Sequence, residues 1–235
     1  ITLILLLIGR GVRIASNSLA GLVTRIPALH KRVDAEGSRG STRTSAIVRA
    51  AVAVGFLVIV GVGLKVGMSL LVSSYDSVNA DASGQSPTNL GENSGSAQSL
   101  TPWDTLGREG RYYVSNTMTP ANIEEITGAP AQTPVRVYVG MQQGDTAQAR
   151  TQLALQELDR VKAWDRKYLV IYAVTGTGWV NPDGINSLEA VTGGDVTTVA
   201  VQYSAVPSWI GFVLDPATTQ IQNRDTVDAV IAEWK

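Results

Sequence analysis

The chain has 235 residues, of which 19 are basic and 20 acidic, and this balance argues against a nucleic-acid-binding protein, which normally carries a basic surplus. It contains no cysteine, which excludes disulfides, thiolate catalysis and cysteine-ligated zinc within these residues. Its one histidine is His30, so histidine chemistry is restricted to a single position.

Two apolar runs near the start of the chain predict membrane-spanning helices. The first, residues 1–9, has the composition of the end of a span that starts before Ile1. The second, residues 46–73, has no charged side chain from Ala50 to Leu64 and is long enough for the roughly 20 residues that cross the hydrocarbon. A buried helix of a large soluble protein is the alternative. We expect a multi-pass protein embedded in a lipid bilayer.

The segment between these runs, residues 10–45, is basic and amphipathic. Its apolar residues recur at three- and four-residue steps, which is typical of a helix lying on a membrane surface, and His30 is expected there as an interfacial polar residue. Its lysines and arginines outnumber its acidic residues. The positive-inside rule therefore places this segment in the cytoplasm, and everything after residue 74 on the outer side of the plasma membrane.

Three residues of the 46–73 helix are predicted to mediate membrane packing. Gly63 and Gly67 form a pair of small residues four positions apart, which permits the close approach of a partner transmembrane helix. Lys65 lies inside the apolar run, and it either extends to the outer interface or faces a partner helix.

Residues 74–101 are rich in Ser, Asn, Gly, Asp and Ala, without periodicity. Such a composition buries too little apolar surface to offset the entropy of ordering, and it predicts a flexible linker to a folded domain.

Residues 102–235 alternate predicted strands and helices, which is typical of a parallel α/β sheet covered by helices. A short helix is expected from Pro120 to Thr127, with Thr119 as its N-cap. The predicted strands are 135–139, 168–174 and 196–203; the other predicted helices are 146–162, 182–191 and a last one capped by Asn223 or Asp225.

A glycine-rich turn follows the second predicted strand and is the main candidate for a functional loop. Gly176, Thr177, Gly178 and Trp179 come directly after a buried strand and before a helix that opens at Pro182. Ligands in open α/β sheets bind outside the carboxyl ends of the strands, where this turn is expected. A tight strand-to-helix connection without function is the alternative.

A second candidate binding segment follows the third strand and is expected beside the turn. Tyr203, Ser204 and Trp209 are its candidate binding residues. The apolar run from Trp209 to Leu214 has two interpretations. It is either a buried segment packed on the sheet, or an acyl-binding wall or membrane-facing lip.

Five sequence blocks follow one another within residues 102–235, at residues 103–111, 134–140, 175–182, 188–195 and 202–209. Together they resemble the actinobacterial membrane-anchored α/β-hydrolase family, which joins an N-terminal multi-span region to an extracytoplasmic hydrolase-like domain. The resemblance covers about residues 46–235, with one departure at Asn181, where Asp is expected more often.

This resemblance implies an α/β-hydrolase sheet that is incomplete at its C-terminus. The 175–181 turn would be the oxyanion-hole loop, and a Gly-x-Ser-x-Gly nucleophile elbow would follow Lys235. It also implies a serine esterase, lipase or acyltransferase of the cell envelope, with lipids or acylated compounds as substrates.

These residues do not supply a complete catalytic site. A Ser-His-Asp triad needs a histidine base, and residues 102–235 contain none. Neither a metal nor another cofactor is expected, because Asp183, Asp195 and Asp215 are scattered and no histidine accompanies them. The alternative function is that of a non-catalytic subunit, which docks to a larger membrane complex through its transmembrane helices.

Overall fold

The computed structural model describes residues 38–87 and 91–234, so the predicted span end at 1–9, the amphipathic segment before residue 38 and His30 lie outside the described residues. The chain divides into two units, Ile1–Leu70 and Leu71–Lys235. The helices are α1 (Ser38–Ala80), α2 (Gly107–Ser115), α3 (Pro120–Thr127), α4 (Ala147–Arg160), α5 (Pro182–Val191), α6 (Ser208–Leu214) and α7 (Pro216–Glu233). The strands are β1 (Val135–Val139), β2 (Tyr168–Tyr172) and β3 (Val196–Val201).

Helix α1 extends beyond both ends of the predicted 46–73 helix. Its segment Ala53–Ala80 is long and apolar enough to cross a membrane, and large side chains such as Ile59 and Leu64 are exposed on it. Within residues 38–87 and 91–234 it is the one helix that meets both conditions, which is weak evidence for membrane association. The number of spans and their orientation stay predictions.

The sheet confirms the predicted parallel α/β architecture. Its three strands are parallel in the order β1-β3-β2, and Val199 at the centre of β3 aligns with Val137 on one side and Ile171 on the other. β2 and β3 end two residues earlier than predicted. Val174 and Tyr203 are still buried, but they pack with α2 residues beside the sheet instead of continuing the strand ladder.

Alternation along β1 divides the core between the two faces of the sheet. Val135, Val137 and Val139 pack on one face, with Leu158 of α4. On the other face, Tyr138 packs with Tyr113 of α2, and their ring centroids are 5.5 Å apart. Both faces are therefore covered by helices, as a buried parallel sheet requires.

The structure corrects the predicted flexible linker at 74–101. Helix α1 continues to Ala80, and the segment around Ser94 covers the outer edge of β1. The Ser94 N–H donates to the Arg136 carbonyl at 3.0 Å, the Arg136 N–H donates to Asn93 Oδ1 at 2.8 Å, and the Tyr138 N–H donates to Ser94 Oγ at 2.9 Å. The prediction from composition rests on apolar burial alone. In the structure, these polar residues hydrogen-bond to the backbone of β1, whose outer edge would otherwise be unpaired.

Glu157 on α4 fastens the same segment to the domain. Its buried carboxylate accepts from the Leu100 N–H at 3.0 Å, from Arg160 Nε at 2.8 Å and from the Ser99 hydroxyl. Burial acts to raise the pKa of Glu157, but these hydrogen bonds and the Arg160 charge outweigh it and hold the pKa below its ordinary value.

An ion pair between Arg136 of β1 and Glu189 of α5 lies wholly inside the domain. Arg136 Nε and Nη2 donate to the two carboxylate oxygens at 2.6 and 2.9 Å, and the side chains are 1% and 0% exposed. Arg136 also donates to the Tyr113 carbonyl at 2.7 Å and to Asn186 Oδ1 at 2.8 Å, while Glu189 accepts from the Met118 N–H at 3.0 Å. The pair therefore joins β1, α2, α5 and the segment before α3.

The C-terminal helices differ from the prediction. Helix α7 begins at Pro216, and both predicted caps, Asn223 and Asp225, lie inside it. The N–H groups in the first turn of a helix have no intrahelical acceptor. Proline, which has no N–H, is therefore well suited to this position. Residues Ser208–Leu214 form the separate short helix α6.

Replacing Arg136 with methionine should lower the free energy of unfolding by roughly 3–5 kcal/mol, because Glu189 is then buried without its charged partner. Replacing both Arg136 and Glu189 with methionine should recover much of this loss, since no buried charge remains. Urea unfolding of the full chain in detergent, followed by circular dichroism, measures both effects.

The exposed pair Arg224–Asp225, with an N–O distance of 3.6 Å, provides the control. Arg224→Met should change stability by less than about 1 kcal/mol, as is usual for surface ion pairs. A double methionine variant that is no more stable than the single variant would contradict the assigned role of the buried pair.

Candidate functional site

The three strands end at one edge of the sheet, and the segments that follow them meet there. β1 leads into Gly140 and Met141, β2 leads into the 175–179 turn, and β3 leads into residues 202–208. This is the edge at which open α/β sheets bind ligands. The structure thus brings together the two segments that the sequence analysis selected.

The turn is closed by its own backbone. The Gly178 N–H donates to the Thr175 carbonyl at 2.9 Å, and the Thr175 N–H donates to the Trp179 carbonyl at 3.3 Å. Gly178 has a φ of +88°, which side chains disfavour, so a glycine is needed at this position. Asn181 then caps α5 by accepting from the N–H groups of Asp183 and Gly184 at 2.9 and 3.1 Å. Asn181 therefore provides the capping oxygen that Asp would also provide.

Two fully buried side chains support the turn from the sheet. The Tyr138 hydroxyl donates to the Gly178 carbonyl at 3.1 Å, and Gln202 Nε2 donates to the carbonyls of Thr177 and Ser204, both at 2.8 Å. Burial raises the pKa of Tyr138 well above its ordinary value, so this hydroxyl stays protonated and able to donate. Neither support is among the site residues predicted from the sequence. Gln202 could have been selected from the sequence, because it is a polar residue at the end of an apolar strand.

Ser208, at the start of α6, joins the turn to the segment after β3. The Gly176 N–H donates to Ser208 Oγ at 2.9 Å, and the Tyr203 hydroxyl lies 3.3 Å from the same oxygen. A Cβ on Gly176 would lie 2.7 Å from the Ser208 nitrogen and closer still to the Val206 carbonyl oxygen. Glycine at 176 is therefore required by the close approach of the two backbones.

The four predicted oxyanion residues fall into two pairs. The N–H groups of Gly176 and Gly178 are occupied by Ser208 and Thr175. The N–H groups of Thr177 and Trp179 form no hydrogen bond with the described part of the chain. The donors left for a ligand are thus those of Thr177 and Trp179, and their oxyanion role stays a prediction.

A pocket of about 280 Å³ lies beside this turn. Tyr203, Ser204 and Val206 line one part of it, and Gly211 and Leu214 of α6 line another. Two of the three predicted binding residues, Tyr203 and Ser204, therefore border a cavity. Its lining is mainly apolar, so it suits a hydrocarbon group better than a charged one.

Trp209 differs from the other predicted binding residues. Its side chain is 68% exposed and does not line the pocket. From the sequence, residues 209–214 are expected to be either buried on the sheet or exposed as an acyl-binding wall or membrane-facing lip. Ile210 and Gly211 are buried, whereas Phe212 and Val213 are exposed.

The remaining predicted residues lie in α1. Within the described part of the chain, a methyl group added to Gly63 or Gly67 would meet no atom within 4 Å. As for metal chemistry, no group of three His, Asp or Glu side chains that could hold a metal ion occurs among residues 38–87 and 91–234.

A parallel three-stranded sheet covered by helices fits an α/β-hydrolase-like fold. The model described as "Alpha/beta-hydrolase family" matches residues 135–235, and the model described as "Alpha/beta-hydrolase family N-terminus" matches residues 1–117. Together the two matches support an alpha/beta-hydrolase family for this chain, which agrees with the resemblance at that level. Comparisons with curated proteins and with solved structures gave no match.

Replacing Gly176 with alanine should destabilise the domain by about 1–3 kcal/mol, because the added carbon overlaps the backbone at Val206 and Ser208. Gly184→Ala is the matched control. Gly184 lies in α5, its added carbon would meet nothing closer than 3.9 Å, and alanine should stabilise this helix by up to about 1 kcal/mol. Thermal unfolding of the full chain measures both, and equal melting temperatures for the two variants would contradict the close approach at Gly176.

Proposed function

We propose that this chain provides the oxyanion turn and the acyl pocket of a membrane-anchored serine hydrolase, an esterase, lipase or acyltransferase of the cell envelope. The substrates would be lipids or other acylated compounds. The observation that supports this most strongly is the position of the 175–179 turn. It lies at the carboxyl edge of the sheet, is fixed by Tyr138, Gln202 and Ser208, and stands beside an apolar pocket.

The turn has the properties that stabilisation of an oxyanion demands. Such a site needs backbone donors that are already positioned before charge develops, so that no reorganisation accompanies the reaction. The N–H groups of Thr177 and Trp179 make no hydrogen bond within the described residues, while the carbonyls of Thr177 and Gly178 are held by buried side chains. A turn fixed through its carbonyls keeps its free N–H groups in constant positions.

The two edge strands of the sheet indicate where the strand that carries the nucleophile would lie. The outer edge of β1 is covered by the segment around Ser94, whereas β2 is only partly buried and pairs on one side alone among the described strands. A further parallel strand beside β2 would lie about 4.8 Å away. The residue at its carboxyl end would stand next to the 175–179 turn. The serine elbow expected after Lys235 fits this position.

The size and lining of the pocket suit the acyl group of the proposed substrate. Its volume of about 280 Å³ is near the lower end for small-molecule sites, and its walls include Val206 and Leu214. It would accommodate a short acyl chain, or the end of a longer one, next to the turn that receives the carbonyl oxygen.

Fluorophosphonate labelling of the full-length protein in native membranes tests this proposal. The wild-type protein should react, and mass spectrometry should place the adduct on a serine beyond Lys235. Ser208→Ala should slow labelling by about tenfold to a hundredfold, because the Gly176 N–H loses its acceptor and small displacements of catalytic groups are costly.

Ser187→Ala provides the control, since Ser187 is exposed on α5 and outside the site; its labelling rate should equal that of the wild type. An unreactive wild-type protein would eliminate the serine-hydrolase proposal. A Ser208→Ala variant that labels as fast as the wild type would eliminate the role of the turn alone.

A non-catalytic role in a larger membrane complex is the second candidate function. The observation in its favour is the face of α1 at Gly63 and Gly67, where additional atoms would meet no other described residue within 4 Å. Such a face permits close approach of another transmembrane helix, and Lys65 lies between the two glycines in sequence.

The double variant Gly63→Leu/Gly67→Leu should abolish co-purification of a partner subunit at fixed stoichiometry, because the leucines prevent close helix contact. Gly55→Leu, also at an open position on α1, should retain the partner. Quantitative mass spectrometry of the purified membrane complex measures both. A partner that remains bound to the double variant would rule out this interface.

A further inference from the structure

Helix α6 exposes an apolar stripe on the side opposite its buried residues. Trp209, Phe212 and Val213 are spaced by three and four positions, so they share one helix face. They are 68%, 53% and 74% exposed, whereas Ile210 and Gly211 are buried and hold the helix on the domain. Single exposed apolar residues are ordinary, but a contiguous group of large ones marks an interaction surface.

The position of α6 relates this stripe to the end of the apolar segment of α1. The pocket that α6 borders through Gly211 and Leu214 is also lined by Val72 and Asp76 of α1. The apolar run of α1 ends at Val72, and polar residues from Ser73 to Asp76 follow. Val72 therefore marks the boundary between acyl chains and headgroups, and α6 lies beside it.

Charge around the stripe points to apolar insertion and not to attraction by anionic lipids. No lysine or arginine occurs between Lys167 and Arg224, and Asp76 and Asp215 line the neighbouring pocket. Trp209 has the amphipathic ring that is enriched at membrane interfaces. Binding of such a face depends on its buried apolar area and needs no basic residues.

We propose that α6 inserts the face formed by Trp209, Phe212 and Val213 into the boundary between headgroups and acyl chains of the bilayer that α1 crosses. The occupant of this surface is thus a lipid membrane. The inference depends on the anchoring by α1 that is part of the proposed function, and it does not depend on the hydrolase chemistry. It also places the pocket mouth at the level where acyl chains are available.

The absence of native cysteine makes a site-directed spin label the direct test. The full chain carrying Val213→Cys with a nitroxide is reconstituted in vesicles of zwitterionic phosphatidylcholine, and collision with oxygen and with a water-soluble nickel chelate is measured. Val191→Cys is the matched control, because Val191 is 81% exposed and lies at the far end of α5.

The label at 213 should collide several-fold more with oxygen and several-fold less with the nickel chelate than the label at 191. Adding anionic lipid or salt should leave this difference unchanged. A label at 213 that both reagents fail to reach would show a protein contact, from a second copy or another segment, and would overturn the inference. A label that behaves like the one at 191 would overturn it as well.

Vesicle flotation separates failure of this inference from failure of the anchoring. A chain that does not float with the vesicles overturns the anchoring by α1, and with it the insertion of α6. A chain that floats while the label at 213 faces water overturns the insertion alone. Neither result bears on fluorophosphonate labelling, which tests the chemistry independently.

Discussion

The buried pair Arg136–Glu189 determines how the parts of the α/β domain are held together. Arg136 occupies a core position of β1, and two residues further along the same face Tyr138 donates to the Gly178 carbonyl. Glu189 lies in α5, the helix that begins directly after the turn. The pair thus fixes the strand that supports the turn and the helix that follows it, relative to each other. Its desolvation is compensated by hydrogen bonds from several segments, so no charge is left without partners.

Most of the fold could be predicted because its signals are local. Thr119 caps α3, Pro120 and Pro182 open α3 and α5, and alternating valines identify β1 to the residue. The segment around Ser94 could not be predicted in this way. Its polar side chains are ordered by bonds to β1 more than 40 residues away, and to Glu157, some 60 residues away. Composition predicts whether a segment can bury apolar surface, but not whether distant residues will form hydrogen bonds with its polar groups.

The candidate site shows the same division. The glycine pattern located the turn, since a buried strand followed by Gly176 and Gly178 is visible within a few residues. Which N–H groups remain for a ligand depends on Thr175 within the turn and also on Ser208, 32 positions from Gly176. Trp209 was grouped with Tyr203 because they are near in sequence, but Tyr203 lines the pocket whereas Trp209 is exposed and does not. Proximity in sequence therefore does not show which side chains share a pocket.

Helix α6 connects the surface of the domain to the turn through its first residue. Ser208 accepts the Gly176 N–H, the next residue begins the exposed apolar stripe, and Gly211 and Leu214 form part of the pocket wall. A helix of seven residues is too short to be stable alone, so its position is set by Ile210 and by the close backbone approach at Gly176. A displacement of Ser208 together with α6 would therefore disturb the Gly176 hydrogen bond. The surface that we assign to the membrane and the turn that we assign to the oxyanion are linked through this one residue.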